Sequence, residues 1–300
     1  MRIDSATVVC QGRRNQQEDT IASDFPEGSE VGFVVLGDGM GGHACGEIAS
    51  KLVVSEVFSA LKRQSENPDL LAQRVGDILE DAAAKANARI GRYTGTRPET
   101  QGMGTTLLSP VVVRDKLYWI SIGDSPLYIF RRNALYRLNQ IHTLQRQFDY
   151  LVRNNLLDPE DAKNCDPNSL TSAIAGYKIA QIDCCRSPVT LVDQDILIVA
   201  SDGLQFLTDE EISQTVSRAQ NEPASSIGNA LLGALNTLDH PEQDNVACCI
   251  VKVEHTMDMS DLKSQLSVGN GVVPTLEVNT QLVCEKYDQT SAQCRYPLRS

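Results

Sequence analysis

Residues 105–131 read TTLLSPVVVRDKLYWISIGDSPLYIFR. Runs rich in β-branched and aromatic residues at 105–113, 116–122 and 126–131 are separated by two or three turn-type residues. That texture predicts a meander of antiparallel strands. Upstream, GEIASKLVVSEVFSALKRQ (46–64) carries Ile48, Leu52, Val53, Val57 and Leu61 at three- and four-residue spacing, the mark of an amphipathic helix. A second helix is expected over 69–91, with Asn67 and Pro68 at its start. VGFVVLGDG (31–39) and DILIVASDGL (195–204) each read as a strand running into an Asp-Gly turn. Thr208, with Glu211 three residues on, signals a capping box for a helix at 209–219. Residues 224–238 have an apolar helical face, and 245–253 read as a strand. This succession argues α+β and not a doubly wound parallel sheet.

The stretch 140–180 is mixed and polar and is expected to be a loop-rich insertion. Beyond about residue 254 periodicity fades, so 1–254 is expected to be the folded domain and 255–300 a tail or appendage. The 300 residues are 41% hydrophobic, enough for a sizeable core. A net charge of −12 disfavours nucleic acid and anionic membrane surfaces as partners, because both need clustered Lys and Arg. No apolar run approaches the roughly 18–20 residues that span a bilayer, and the N-terminus does not resemble a signal peptide. Nine cysteines, including the adjacent pairs Cys184–Cys185 and Cys248–Cys249, contain no C-x-x-C. They are expected to be free thiols in a reducing cytoplasm.

The acidic residues carry the chemistry. Glu18 and Asp19 lie in RRNQQED, Asp38 in LGDGMGG, Asp124 in SIGDSPLY, Asp202 in ASDGL and Asp244 in EQDNVA. An Asp at a strand end is held by the sheet behind it while its carboxylate points off the edge, and a neighbouring Gly admits a second group closely. Several such carboxylates meeting would repel one another unless a cation neutralised them. Hard oxygen donors suit Mg²⁺ or Mn²⁺, and the four histidines have no metal-ligand spacing.

From Arg13 to about Val253 the chain resembles the metal-dependent Ser/Thr protein phosphatases of the PPM (type 2C) family in their bacterial form. The segments RRNQQED, GDGMGGH, GMGTTLL, GDSPLYIF, NSLTSAIAG, ASDGL and DNVACCIV stand in the family's order and at family-like spacing. The resemblance implies a four-layer αββα fold: two antiparallel sheets forming a β-sandwich, flanked by helices, with the metal site at one end. It implies that Asp38 bridges two metal ions, one of them completed by the Gly39 carbonyl, and that Asp202 and Asp244 hold the first. Asp124 would share a third, weaker ion with Asp202. Glu18 and Asp19 would anchor metal-bound waters, and Asn245 would buttress Asp244. Arg14 would grip the substrate phosphate; Arg13 beside it is an alternative, and the spacing to Glu18 favours Arg14. The implied reaction is in-line attack on phosphorus by a metal-bridged hydroxide, with no phosphoenzyme.

Departures from the family pattern are also legible. Met40 stands where eukaryotic members have a histidine, as is usual in bacterial ones, and His43 nearby reads as structural or solvent-facing. Pro126 follows GDS where the family commonly has Arg, and QIHT (140–143) carries Ile141 where Asp is usual, with His142 read as structural. The segment of about 140–172 corresponds to the variable flap beside the site. Expected partners are phosphorylated proteins, products of a eukaryotic-like Ser/Thr kinase, and a monomer is expected. Two alternatives stay open: a catalytically silent metal- or partner-binding module of the same fold, and a phosphatase of small phosphorylated molecules.

Overall fold

Alternate residues of one strand face two different cores. In β3 (Val31–Gly37) the side chains of Val31, Phe33 and Val35 pack against helices α1 (Cys45–Gln64) and α2 (Pro68–Gly95), while Val34 and Leu36 point the other way, into a second sheet. The period-two geometry of a strand makes this possible, and burial on both faces explains why the run reads as uniformly apolar. The structure is a computed structural model, and it describes residues 1–41, 45–153 and 169–254, apart from the side chains of 149 and 150. His43, the 154–168 part of the expected flap and the expected tail lie outside the described residues.

The remaining elements are β1 (Arg2–Cys10), β2 (Thr20–Asp24), β4 (Gly39–Met40), β5 (Gly104–Thr105), β6 (Leu107–Val113), β7 (Lys116–Ile122), β8 (Leu127–Arg131), β9 (Ala134–Arg137), α3 (Leu144–Arg153), β10 (Asp183–Cys184), β11 (Val189–Thr190), β12 (Ile196–Ala200), α4 (Asp209–Ala219), α5 (Ala224–Leu238) and β13 (Val246–Glu254). One antiparallel sheet has the order β1-β13-β12-β8-β9; the other runs β10-β7-β6-β3-β2, with β11 also paired to β7. Leu108, Val112, Leu127, Ile129, Leu197, Val199 and Val251 fill the space between the sheets. On the outer face of the first sheet, Ile198 and Ile250 pack on Ile212 and Val216 of α4 and Ile227 and Leu231 of α5. The layers are therefore helices, sheet, sheet, helices, the αββα order.

Local signals explain several elements. Thr208 accepts the Glu211 backbone N–H while the Glu211 side chain accepts the Thr208 N–H, which closes the capping box of α4. Asn67 caps α2 through Leu70 N–H, ahead of Pro68 in the first turn. The adjacent cysteines straddle a strand: Cys248 faces the helical core and Cys249 the inter-sheet core, both free thiols.

Two strands were not anticipated and two expectations need correction. β1 and β2 have no counterpart in the sequence reading, because β1 is only half-buried and its Asp4, Ser5 and Thr7 mask the alternation. The segment expected to be loop-rich contains α3. The single strand expected over 105–113 is interrupted at Thr106, which lies between β5 and β6 and turns its polar atoms towards Asp38.

Asp195, just ahead of β12, is 1% exposed and accepts from Arg131 Nε at 2.7 Å, Arg131 Nη2 at 2.5 Å and Val192 N–H at 2.7 Å. Removing the guanidinium leaves a buried carboxylate with a single donor. Arg131→Met should therefore cost about 2–3 kcal/mol in urea unfolding, with an unchanged m-value.

Candidate active site

The two sheets bring their polar ends to one edge. Arg14 follows β1, Glu18 and Asp19 lead into β2, Asp38 closes β3, Asp124 sits between β7 and β8, Asp202 follows β12, and Asp244 and Asn245 precede β13. Arg14, Glu18, Asp38, Gly39, Asp124, Asp202, Asp244 and Asn245 line a single cavity of about 630 Å³, joined by Met40, Thr106 and Leu170. Asp19 is buried immediately behind it, and its Oδ2 accepts the Ser201 hydroxyl at 2.6 Å. All the acidic site residues expected from the sequence are thus brought to one place.

Close backbone approach makes the convergence possible. A Cβ on Gly39 would stand 2.2 Å from the Gly46 carbonyl oxygen, and one on Gly203 would stand 1.9 Å from the Asn245 carbonyl oxygen. The Asp38 amide donates to Thr106 Oγ1 at 3.0 Å, and the Thr106 amide donates back to the Asp38 carbonyl at 2.9 Å. Asn245 contacts both Asp244 and the loop ahead of β2. Its amide donates to Asp244 Oδ1 at 2.7 Å, while its side chain donates to the carbonyls of Gln11 and Gln16 and accepts the Glu18 N–H. One residue thereby ties Asp244 to the loop that carries Arg14. Arg14 Nη2 lies 2.6 Å from Asp244 Oδ2, whereas Arg13 turns away to pair with Asp239. Of the two arginines, Arg14 is the one that faces the cavity.

Crowding governs the electrostatics. Burial, reinforced by Asp19, Asp202 and Asp124, pushes the Asp38 carboxyl well above the usual carboxylate range. Burial and Asp202 push Asp124 up to about 7. Asp19 and Asp202 are raised too, chiefly by burial and then by neighbouring carboxylates. Glu18 is raised by burial, although Arg14 and the Gly46 N–H at the start of α1 oppose the shift. Asp38 and Asp202 face each other closely enough for each to shift the other. Among the described residues no three Asp, Glu, His or Cys side chains already stand in metal-ligating arrangement. Arg14 supplies one positive charge beside the carboxylates, 2.6 Å from Asp244.

The sequence profile of the family described as Protein phosphatase 2C matches residues 11–238. The chain belongs to that family. A serine/threonine phosphatase stp of Listeria welshimeri is 24% identical over 242 residues, which cover 81% of this chain and 92% of that protein. The serine/threonine phosphatase of S. agalactiae superposes with a TM-score of 0.70 at 26% identity, covering 84% of this chain and all of the other. The catalytic domain of the phosphatase PstP, solved with two manganese ions, superposes at 0.65 and 26% identity, covering 85% of this chain and 99% of that one.

The phosphatase 2C departures now have positions. Met40 lines the cavity. His142 is buried, accepts the Gly123 amide at Nδ1 (3.1 Å) and donates its own amide to the Gly123 carbonyl (3.0 Å), so it braces the turn that carries Asp124. Pro126, on that same turn, accepts the Ala200 amide. Ile141 lines a separate cavity with Leu151 and Ile182. Sequence reasoning missed Thr106, Ser201 and Asn139, whose types are ordinary and whose motifs do not single them out.

The raised carboxylates predict a pH effect whose sign follows from linkage. Unfolded carboxylates titrate near 4, whereas the folded Asp124 holds its proton to about 7, so between these values the native state binds more protons. The corresponding stability is present below about pH 4 and is lost as pH rises through about 7. Chelator-treated protein should melt at a higher temperature at about pH 5.5 than at about pH 8, by differential scanning fluorimetry, and excess Mn²⁺ should narrow that gap.

Proposed function

We propose that this family member hydrolyses phosphoserine and phosphothreonine on proteins, with Mn²⁺ or Mg²⁺ held by Asp38, the Gly39 carbonyl, Asp202 and Asp244, and a third, weaker ion shared by Asp124 and Asp202. The observation that carries this reading is the cavity in which Asp38, Asp124, Asp202 and Asp244 converge under an arginine. The donor set fits such ions: it consists of partly buried carboxylate oxygens, those of Asp38 and Asp202 crowded enough to resist ionising together, without His or Cys. When bound, divalent ions supply countercharge for the phosphoryl group and lower the pKa of water to near neutrality.

The chain's own residues do the rest. Arg14 presents a planar fork that suits a phosphate, and at 58% side-chain exposure it is free to leave Asp244 for a substrate. Glu18 and Asp19 hold and orient waters from behind the carboxylates. No Cys, Ser or His appears among the described cavity residues, and the Thr106 hydroxyl is engaged by the Asp38 amide and Ser125. With the four aspartates committed to the ions, the reaction proposed is direct displacement by water, with no phosphoenzyme. Protein substrates agree with the names of the Listeria and S. agalactiae relatives.

In this reading the phosphatase domain spans 1–254 and acts as a monomer on proteins phosphorylated by a Ser/Thr kinase of eukaryotic type. Its setting is the cytoplasm, where thiols such as Cys10, Cys184 and Cys185 stay reduced. Among the described residues no helix is long and apolar enough to cross a membrane.

The test is phosphate release from a phosphothreonine peptide with and without Mn²⁺. The wild-type rate should depend on the metal. Asp38→Asn and Asp202→Asn should each lower kcat by at least about a thousandfold, and Arg14→Ala should act mainly on KM. Full turnover in either Asn variant would sink the proposed metal roles. Absence of release by folded, Mn²⁺-loaded protein on several phosphopeptides would favour a small phosphorylated substrate or a silent module.

A further inference from the structure

The turn that carries Asp124 has weak support of its own. Gly123 sits at φ 109°, and Pro126 has no N–H to contribute. Support arrives from β9 and the residues just after it. Arg137, the last residue of β9, donates from Nη2 to the Asp124 carbonyl at 2.5 Å and from Nε to Asn139 Oδ1 at 3.3 Å. Its guanidinium lies 5.8 Å from the centre of the Tyr128 ring. Asn139 is buried; it accepts the Leu127 amide at 2.8 Å and donates to the Ser125 carbonyl at 2.9 Å and the Ser121 hydroxyl at 2.8 Å. The Ser125 hydroxyl meets Thr106 Oγ1 at 2.8 Å, and that oxygen accepts the Asp38 amide. An unbroken chain of hydrogen bonds therefore runs from Arg137 through Asn139, Ser125 and Thr106 to the backbone of Asp38.

We propose that Arg137 is a positioning residue for Asp124: by clamping the Asp124 carbonyl and Asn139 together, it sets the direction in which the Asp124 carboxylate enters the cavity. Arg137 is absent from the cavity lining, so it acts through Asp124 and not on the substrate. An arginine suits the place for three reasons. Its fork reaches a carbonyl and an amide oxygen at once, its guanidinium lies over the face of Tyr128, and its positive charge lies beside a crowd of carboxylates. A lysine could supply the charge but not both bonds. The inference rests on the reading of Asp124 as a ligand of the weakest ion.

The experiment is Mn²⁺ titration of the full chain by isothermal titration calorimetry, together with the Mn²⁺ dependence of phosphopeptide hydrolysis. The variants are R137M, R137K, D124N and the R137M/D124N double. R137M should weaken the lowest-affinity Mn²⁺ step by about ten- to a hundredfold, as loss of a group that orients a metal ligand does, and leave the tighter steps in place. R137K should recover part of the loss, and R137M should add nothing in the D124N background. If R137M does not fold, R137Q carries the same expectation with a shorter neutral donor. An unchanged lowest-affinity step in the folded Arg137 variant, or equal weakening of every step, would overturn the positioning role while leaving Asp124 a ligand. If D124N itself changes no Mn²⁺ step, the reading of Asp124 as a ligand fails, and the proposal for Arg137 falls with it.

Discussion

Mutual repulsion among carboxylates is the constraint around which this molecule is arranged. Asp19, Asp38, Asp124 and Asp202 are held close enough, and far enough from water, that each is disfavoured as an anion. Such a cluster cannot assemble on flexible loops, because the loops would simply part. It persists here because each acid is tied to a strand end or a short turn of a doubly buried sheet. The apolar contacts of the three cores, at roughly 1.5–3 kcal/mol for each fully buried large side chain, hold the frame against that repulsion. The uncharged residues around the acids are part of the same solution: Thr106, Ser201 and Asn245 anchor the backbone and carboxylates without adding negative charge.

Much of the frame was legible in the sequence. The spacing of Ile48, Leu52, Val53, Val57 and Leu61 does mark α1, and the Thr208–Glu211 box does open α4, because these signals are local. The acids could be picked out because Asp beside Gly after an apolar run has a physical reason to sit at a sheet edge. β1 was not legible, because what makes it a strand is its register with residues some 240 positions away, from Arg2↔Glu254 to Cys10↔Val246. The role of Asn245 in binding the Gln11–Glu18 loop was equally hidden, since its partners lie at the other end of the chain.

The family resemblance and the structure divide the explanation between them. Ordered motifs identify which acids belong together, but they say nothing of how each is held. Arg137 and Asn139 show the gap. Neither stands out in RLNQ, and only the fold places both against the turn that carries Asp124. Thr106 lies inside a motif, yet its task depends on a strand break that propensity alone does not predict.

The pairing of the first strand with the last described one has a consequence for how the protein is made. β1 lies along β13, and the ion pair of Arg14 with Asp244 forms only when those strands meet. On a ribosome, the N-terminal strand waits for nearly the whole domain to emerge before it has a partner. Until then its backbone edge is open to water, to chaperones and to other chains. The site therefore cannot be half-built and active: the last described strand brings the partner of β1 and, just ahead of it, the acid that faces the arginine, and a chain truncated ahead of residue 244 lacks one wall of the cavity.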